Sequence, residues 1–135
     1  TKVPMTPEGR PASSTAPGTW SPWEAVRGLE RRGFVLDGDG VVCVDLDHCV
    51  DGGVLAGWAR EILDRCPSTY VEVSPSGTGL HIWGYADVSV GRMIRDHRAI
   101  EVYGRGRYIA VTGRRFGAAP ARLADISTMV GEVSA

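Results

Sequence analysis

Period-two alternation of apolar and polar positions is clearest in three stretches of this chain. Val41-Val42-Cys43-Val44-Asp45-Leu46-Asp47 places Val42, Val44 and Leu46 on one side of a predicted strand, with Asp45 and Asp47 together on the other. Leu80 to Tyr85 alternates Leu80 and Ile82 with His81, Trp83 and Tyr85, and Ile100 to Tyr103 sets Ile100 and Val102 against Glu101 and Tyr103. Shorter strands are predicted at Phe34–Leu36 and Tyr70–Ser74, and a further one at Arg107–Thr112 ending at Gly113. The turn Asp37-Gly38-Asp39-Gly40 predicts a hairpin joining Phe34–Leu36 to the Val41 strand. Gly104-Arg105-Gly106 predicts a second hairpin, which would carry Arg105 and Arg107 close to Glu101.

Helical spacing is found in three places. Ser21-Pro22-Trp23-Glu24 reads as a capped helix start, with Trp23, Val26 and Leu29 on one face and Gly33 as the stop. Leu55, Trp58, Ala59, Ile62 and Leu63 predict an amphipathic helix up to Pro67, with Trp58 as a packing residue. Leu123, Ile126, Met129 and Val130 predict a packing helix near the C-terminus. Residues 1–19, rich in Pro, Ser, Thr and Gly, read as an extended arm, and 48–53 as a loop.

With 135 residues and 43% hydrophobic content, the expectation is a single globular domain over residues 1–135. No run of 18 apolar residues is present, and no charged-then-apolar leader, so no membrane segment is expected. Cys43, Cys49 and Cys66 lack paired spacing, which argues against a zinc ribbon or a disulfide framework and fits a reducing cytoplasm. A net charge of -1 conceals an uneven distribution: eight acidic residues against three arginines between Glu30 and Asp64, then eight arginines against Asp96 and Glu101 between Arg92 and Arg122. Lys2 is the one lysine, and the guanidinium fork suits phosphate oxygens.

Two carboxylates on one strand face repel unless a cation lies between them. Oxygen donors select a hard ion such as Mg²⁺ or Mn²⁺ rather than zinc, so His48 beside them reads as a loop residue. A solvated strand end, or the start of a turn, is the alternative for Asp45 and Asp47. Ser76-Gly77-Thr78-Gly79 offers hydroxyls, backbone N–H groups and glycines suited to an anion, although most such sequences are turns.

Taken in order, Asp45-x-Asp47, Ser76-Gly77-x-Gly79-x-His81 and Ile100-Glu101-Val102 followed by Arg107-Tyr108-Ile109-Ala110-Val111-Thr112-Gly113 resemble the three catalytic motifs of the archaeo-eukaryotic primase superfamily. More narrowly the chain is similar to the bifunctional primase-polymerase domains of phage and plasmid replication proteins. Lys2-Val3-Pro4, Ala12-Ser13-Ser14-Thr15 and Trp20 resemble the segment preceding the first helix there. Family members commonly begin with an additional strand and continue into a helical accessory segment and a helicase, so a trimmed chain is expected.

The resemblance implies an α+β fold, with an RNA-recognition-like mixed or antiparallel catalytic sheet, helices on one face and the active site on the other. It implies two-metal nucleotidyl transfer with Mg²⁺ or Mn²⁺, acting on nucleoside triphosphates, a single-stranded DNA template and a primer, with a helicase or accessory helical domain as a further partner. Asp45, Asp47 and Glu101 would hold the metals. Ser76, Gly77, Thr78, Gly79, His81 and Arg107 would bind the triphosphate, and Arg105, Arg114 and Arg115 the nucleic acid. A metal-dependent nuclease would shorten DNA rather than extend it. A non-catalytic binding module would be insensitive to chelator and to loss of Asp45.

Overall fold

The computed structural model of the chain describes residues 3–135, so the reading of Lys2 lies outside the described residues. Nine strands are described: β1 (Arg32–Asp37), β2 (Val41–Leu46), β3 (Val50–Asp51), β4 (Val54–Leu55), β5 (Val71–Val73), β6 (Leu80–Tyr85), β7 (Arg92–Arg95), β8 (Ala99–Tyr103) and β9 (Arg105–Val111). The helices are α1 (Trp23–Val26), α2 (Gly57–Arg65) and α3 (Ser127–Val133), giving an α+β architecture. Five strands form an antiparallel sheet in the order β5-β6-β2-β8-β7, with β2 at its centre.

Alternation along β2 explains this central position. Val42, Val44 and Leu46 are buried against Leu80, Ile82, Ile100 and Val102, and the same core takes in Ala59 and Ile62 of α2 and Met129, Val130 and Val133 of α3. Each of the Val, Leu, Ile and Met side chains contributes about 1.5–3 kcal/mol of burial, enough to hold both helices on this face. The opposite face carries a smaller cluster in which Cys43, Trp83 and Tyr103 pack with Leu36 of β1, joined by Ile109 and Val111 of β9. A two-stranded β1-β9 sheet therefore covers part of the face that the helices leave bare.

Neither predicted hairpin forms. β1 pairs antiparallel with β9, in a register running from Arg32↔Val111 to Leu36↔Arg107. Both edges of β2 are already taken by β6 and β8, and both edges of β8 by β2 and β7, so the two glycine turns carry the chain from one sheet to the other. Gly38 (φ 86°) and Gly40 (φ 105°) supply the left-handed backbone of the first crossover, and the Gly38 N–H donates to the Gly104 carbonyl of the second at 3.0 Å.

The first predicted helix shrinks to the single turn Trp23–Val26. Pro22 occupies its N-cap, no side chain caps it and no residue of it is buried. Without a face to pack against, capping signals alone do not carry a helix through to Gly33. That glycine lies inside β1, with the Tyr108 ring against it, while Trp23 and Leu29 are exposed.

The predicted loop at 48–53 contains β3, which pairs with β4 across Gly52 and Gly53. His48 is an exposed loop residue with φ 51°. The second helix begins at Gly57, with Trp58 packed on the core as expected. Leu123 and Ile126 precede α3, in an extended segment hydrogen-bonded to Tyr85. The arm folds back between Met5 and Pro11 and touches the domain where the Ser14 hydroxyl donates to the Gly106 carbonyl at 3.1 Å.

Leu36, fully buried, fastens the small sheet to the large one. Leu36→Ala should cost about 2–5 kcal/mol in chemical denaturation and leave one cooperative transition. A separate early transition would show that the β1-β9 sheet unfolds independently.

Candidate active site

Strand register aligns the chemistry in transverse rows on the face opposite the helices. Glu72 pairs with His81, His81 with Asp45, Asp45 with Glu101 and Glu101 with Met93, so these five side chains form one row across five strands. The next row contains Ser74, Gly79, Asp47, Ala99 and Arg95, joined by Ser74 N to Gly79 O and Asp47 N to Ala99 O, both at 2.9 Å, and by the Arg95↔Ala99 pairing. Cys43, Trp83 and Tyr103 lie one row to the other side and form the apolar wall under β1 and β9.

Asp45, Asp47 and Glu101 meet as the alternation predicted. A carboxylate oxygen from each lies within 4.8 Å of the others, and all three residues are half-buried. This all-oxygen donor set fits a hard divalent cation of the Mg²⁺ or Mn²⁺ type. Arg95, which the sequence reading did not single out, donates from Nη2 to Glu101 Oε1 at 2.6 Å.

A second residue missed from sequence is Glu72. It is fully buried and satisfied by four donors: His81 Nδ1 and the Tyr70 hydroxyl at 2.9 Å each, the Gly113 N–H at 3.1 Å and the Thr112 N–H at 3.2 Å. Burial alone would raise its pKa, but the hydrogen bonds from His81, Tyr70 and the two backbone amides outweigh it and hold the carboxyl below its ordinary value of 4.5. Tyr70 shifts the other way, its phenol pushed up by burial and by the carboxylate it serves. With Nδ1 committed to Glu72, Nε2 is the ring atom His81 can offer to a ligand. The signal in the sequence was slight: one carboxylate between valines in Val71-Glu72-Val73.

The Ser76 loop is tied to the carboxylates through Gly79. A Cβ there would come within 2.6 Å of the Leu46 carbonyl and 3.1 Å of Ser74 Oγ, so glycine lets β6 close on the end of β2. Ser76 Oγ bonds Thr78 Oγ1 at 2.8 Å and Ser74 Oγ at 3.2 Å, and Gly77 turns the loop with φ 80°. Arg114 donates to the Ser74 and Pro75 carbonyls at 2.7 and 3.1 Å, bracing this loop from beneath. Arg115 reaches the Ala119 carbonyl at 3.4 Å.

Arg107 lies on the inward side of β9 with its guanidinium 4.6 Å from the centre of the Tyr103 ring. The Tyr103 phenol is raised by burial and by the neighbouring Glu101 charge. Arg105 is not carried to Glu101, because the hairpin that would have done so is absent. It lies against Gly38 and lines a cavity of about 360 Å³ with Asp87 and Asp125, at the start of β2. The thiol of Cys43 is pushed up by burial and by the Asp45 and Glu72 charges, and the three cysteines are free.

No family model matches the chain. It is 41% identical, over 135 aligned positions, to the DNA Primase-polymerase of Nitratiruptor phage NrS-1; the alignment takes in 86% of this chain. The chain spans about 18% of that protein's length. Among the described residues no helix is long and apolar enough to cross a membrane.

Because the folded-state pKa of Glu72 is depressed, its ionisation stabilises the fold fully above the unfolded value near 4.5, and that contribution disappears as pH falls through the folded value. Unfolding free energy should therefore fall more steeply below pH 4.5 in the wild type than in Glu72→Gln. Parallel denaturation curves for the two across the acid range would remove this assignment.

Proposed function

We propose that this chain is the nucleotidyl-transfer core of a phage or plasmid primase-polymerase, built on an RNA-recognition-like catalytic sheet of the archaeo-eukaryotic primase type. The observation that carries the reading is the meeting of Asp45, Asp47 and Glu101 beside a hydroxyl- and glycine-rich loop, on the sheet face opposite the helices. Similarity to a phage DNA Primase-polymerase over most of the chain supports it independently.

In this reading a primer 3′-hydroxyl attacks the α-phosphate of an incoming nucleoside triphosphate, opposite a single-stranded DNA template, and pyrophosphate leaves. Mg²⁺ or Mn²⁺ ions held by Asp45, Asp47 and Glu101 supply Lewis-acid polarisation of the phosphate and a more acidic hydroxyl. The remaining work is positioning and charge neutralisation by the chain itself. The Ser76 and Thr78 hydroxyls take the triphosphate oxygens on a loop turned by Gly77 and Gly79, whose own N–H groups are held by the Ser74 carbonyl and hydroxyl, and His81 presents Nε2 to the same anion while Glu72 fixes its ring. Arg107, held over Tyr103 beside Glu101, adds a guanidinium to the same anion. Arg105 and Arg115 serve the nucleic-acid backbone, and Arg114 acts through the loop it braces. A helicase or an accessory helical segment is the expected partner beyond these residues.

A labelled primer annealed to a longer template, with deoxy- and ribonucleotides and either metal, tests the reading. The wild type should lengthen the primer, and Asp45→Asn should not, while circular dichroism shows the fold unchanged. Shortening of the primer, or full activity in Asp45→Asn, would overturn the proposal.

His81→Ala and Arg107→Ala should each raise the apparent KM for nucleotide by about one to two orders of magnitude, the loss of one charge-assisted contact of about 1.5–3 kcal/mol. Unchanged KM in both would mean the triphosphate lies elsewhere.

A further inference from the structure

We propose that Arg95 is the carboxylate cluster's own counter-cation, exchanged for the divalent ion as the site loads and then turned onto the phosphates of the bound nucleoside triphosphate. The inference rests on the metal and nucleotide reading above.

The geometry behind it is specific to this arginine. Arg95 is paired in register with Ala99, yet its guanidinium reaches diagonally along the strand pair to Glu101 Oε1 at 2.6 Å, the closest ion pair described. Its neighbours on and after β7 are engaged elsewhere. Arg92 donates to the Ser134 carbonyl at 2.8 Å, and Arg98 holds Asp96 with contacts at 2.8 and 3.1 Å. Of these three, Arg95 alone is turned onto the cluster.

The two partners differ in freedom. The Glu101 side chain is 18% exposed and sits in a strand flanked on both sides, whereas that of Arg95 is 52% exposed on an edge strand. Arg95 is free to swing into solvent, so a divalent ion facing three carboxylates, with twice the charge of a guanidinium, can displace it from Glu101. Glu101 stays in place and Arg95 is the group that moves.

Row geometry indicates where it goes. Ser74 and Gly79 stand on one side of Asp47, and Ala99 and Arg95 on the other. A phosphate chain lying across Asp47 would meet the exposed Ser76 and Thr78 hydroxyls on one flank and the released guanidinium on the other. Arginine suits this second role, since its fork matches two phosphate oxygens at once.

The device predicts effects of opposite sign in two binding measurements, which a structural role for Arg95 would not produce. Mn²⁺ is titrated calorimetrically into the metal-free protein, and dATP is then titrated into the Mn²⁺-loaded protein. Arg95→Ala should bind Mn²⁺ about tenfold more tightly than wild type, and dATP about tenfold more weakly. Arg95→Lys, which keeps the charge without the fork, should match wild type for Mn²⁺ and fall between the other two for dATP. Unchanged or weaker Mn²⁺ binding in Arg95→Ala, or unchanged dATP binding, would overturn the proposal while Mn²⁺ binding abolished by Asp45→Asn would still support the metal reading. Absence of Mn²⁺ binding in the wild type, or binding indifferent to Asp45→Asn, would overturn both.

Discussion

Three carboxylates held within 4.8 Å of one another are the constraint around which this structure is arranged. Carboxylates this close repel one another when ionised, and the cluster works against a net stability that for a domain is typically only about 5–15 kcal/mol. The fold withstands this by separating function from support. Each carboxylate is borne by, or adjoins, a strand whose alternate residues are fully buried: Val44 and Leu46 behind Asp45 and Asp47, Ile100 and Val102 behind Glu101. Strand pairing leaves those backbones no room to spread, and relief comes from solvent and from the Arg95 guanidinium.

A different solution serves the carboxylate that lies in the dry part of the same row. Glu72 has no solvent at all, and its charge is sustained by four hydrogen bonds from two regions of the chain. His81 and Tyr70 belong to the large sheet or its margin, whereas Thr112 and Gly113 follow the last strand of the small one. Glu72 thereby fixes the ring of His81 and also the point where β9 leaves the domain. The residue most deeply buried in the row thus serves to position its neighbours.

What could be read from the sequence, and what could not, follows from the range of each interaction. Asp45 and Asp47 were visible because side-chain alternation is a property of a single strand, and Glu101 because its own strand repeats the pattern. The Ser76 loop announced itself through glycine and hydroxyl residues. Pairing of β1 with β9 was not legible, since a glycine turn signals that the chain reverses without saying which edge it will find. Here the nearest edges were occupied. Glu72 and Arg95 were missed for a related reason: one matters through a cross-strand partner nine residues away, the other through a diagonal reach of six. The failed helix at Trp23 shows the converse, capping signals with no surface to receive the helix.

The arginines share a resting arrangement that bears on how an anion would be met. Arg95 holds Glu101, Arg107 lies over Tyr103, and Arg114 holds the carbonyls of Ser74 and Pro75. None projects as an isolated charge: one is held by a carboxylate, one by a ring face and one by backbone carbonyls. A polyphosphate reaching this face must replace existing partners rather than meet bare cations. Net affinity is then the difference between two sets of good contacts, which favours a ligand whose charge and geometry displace several partners together over one that supplies charge alone. Arg95 exchanges one ionic partner for another, whereas the brace beneath the Ser76 loop has both of its bonds made to backbone.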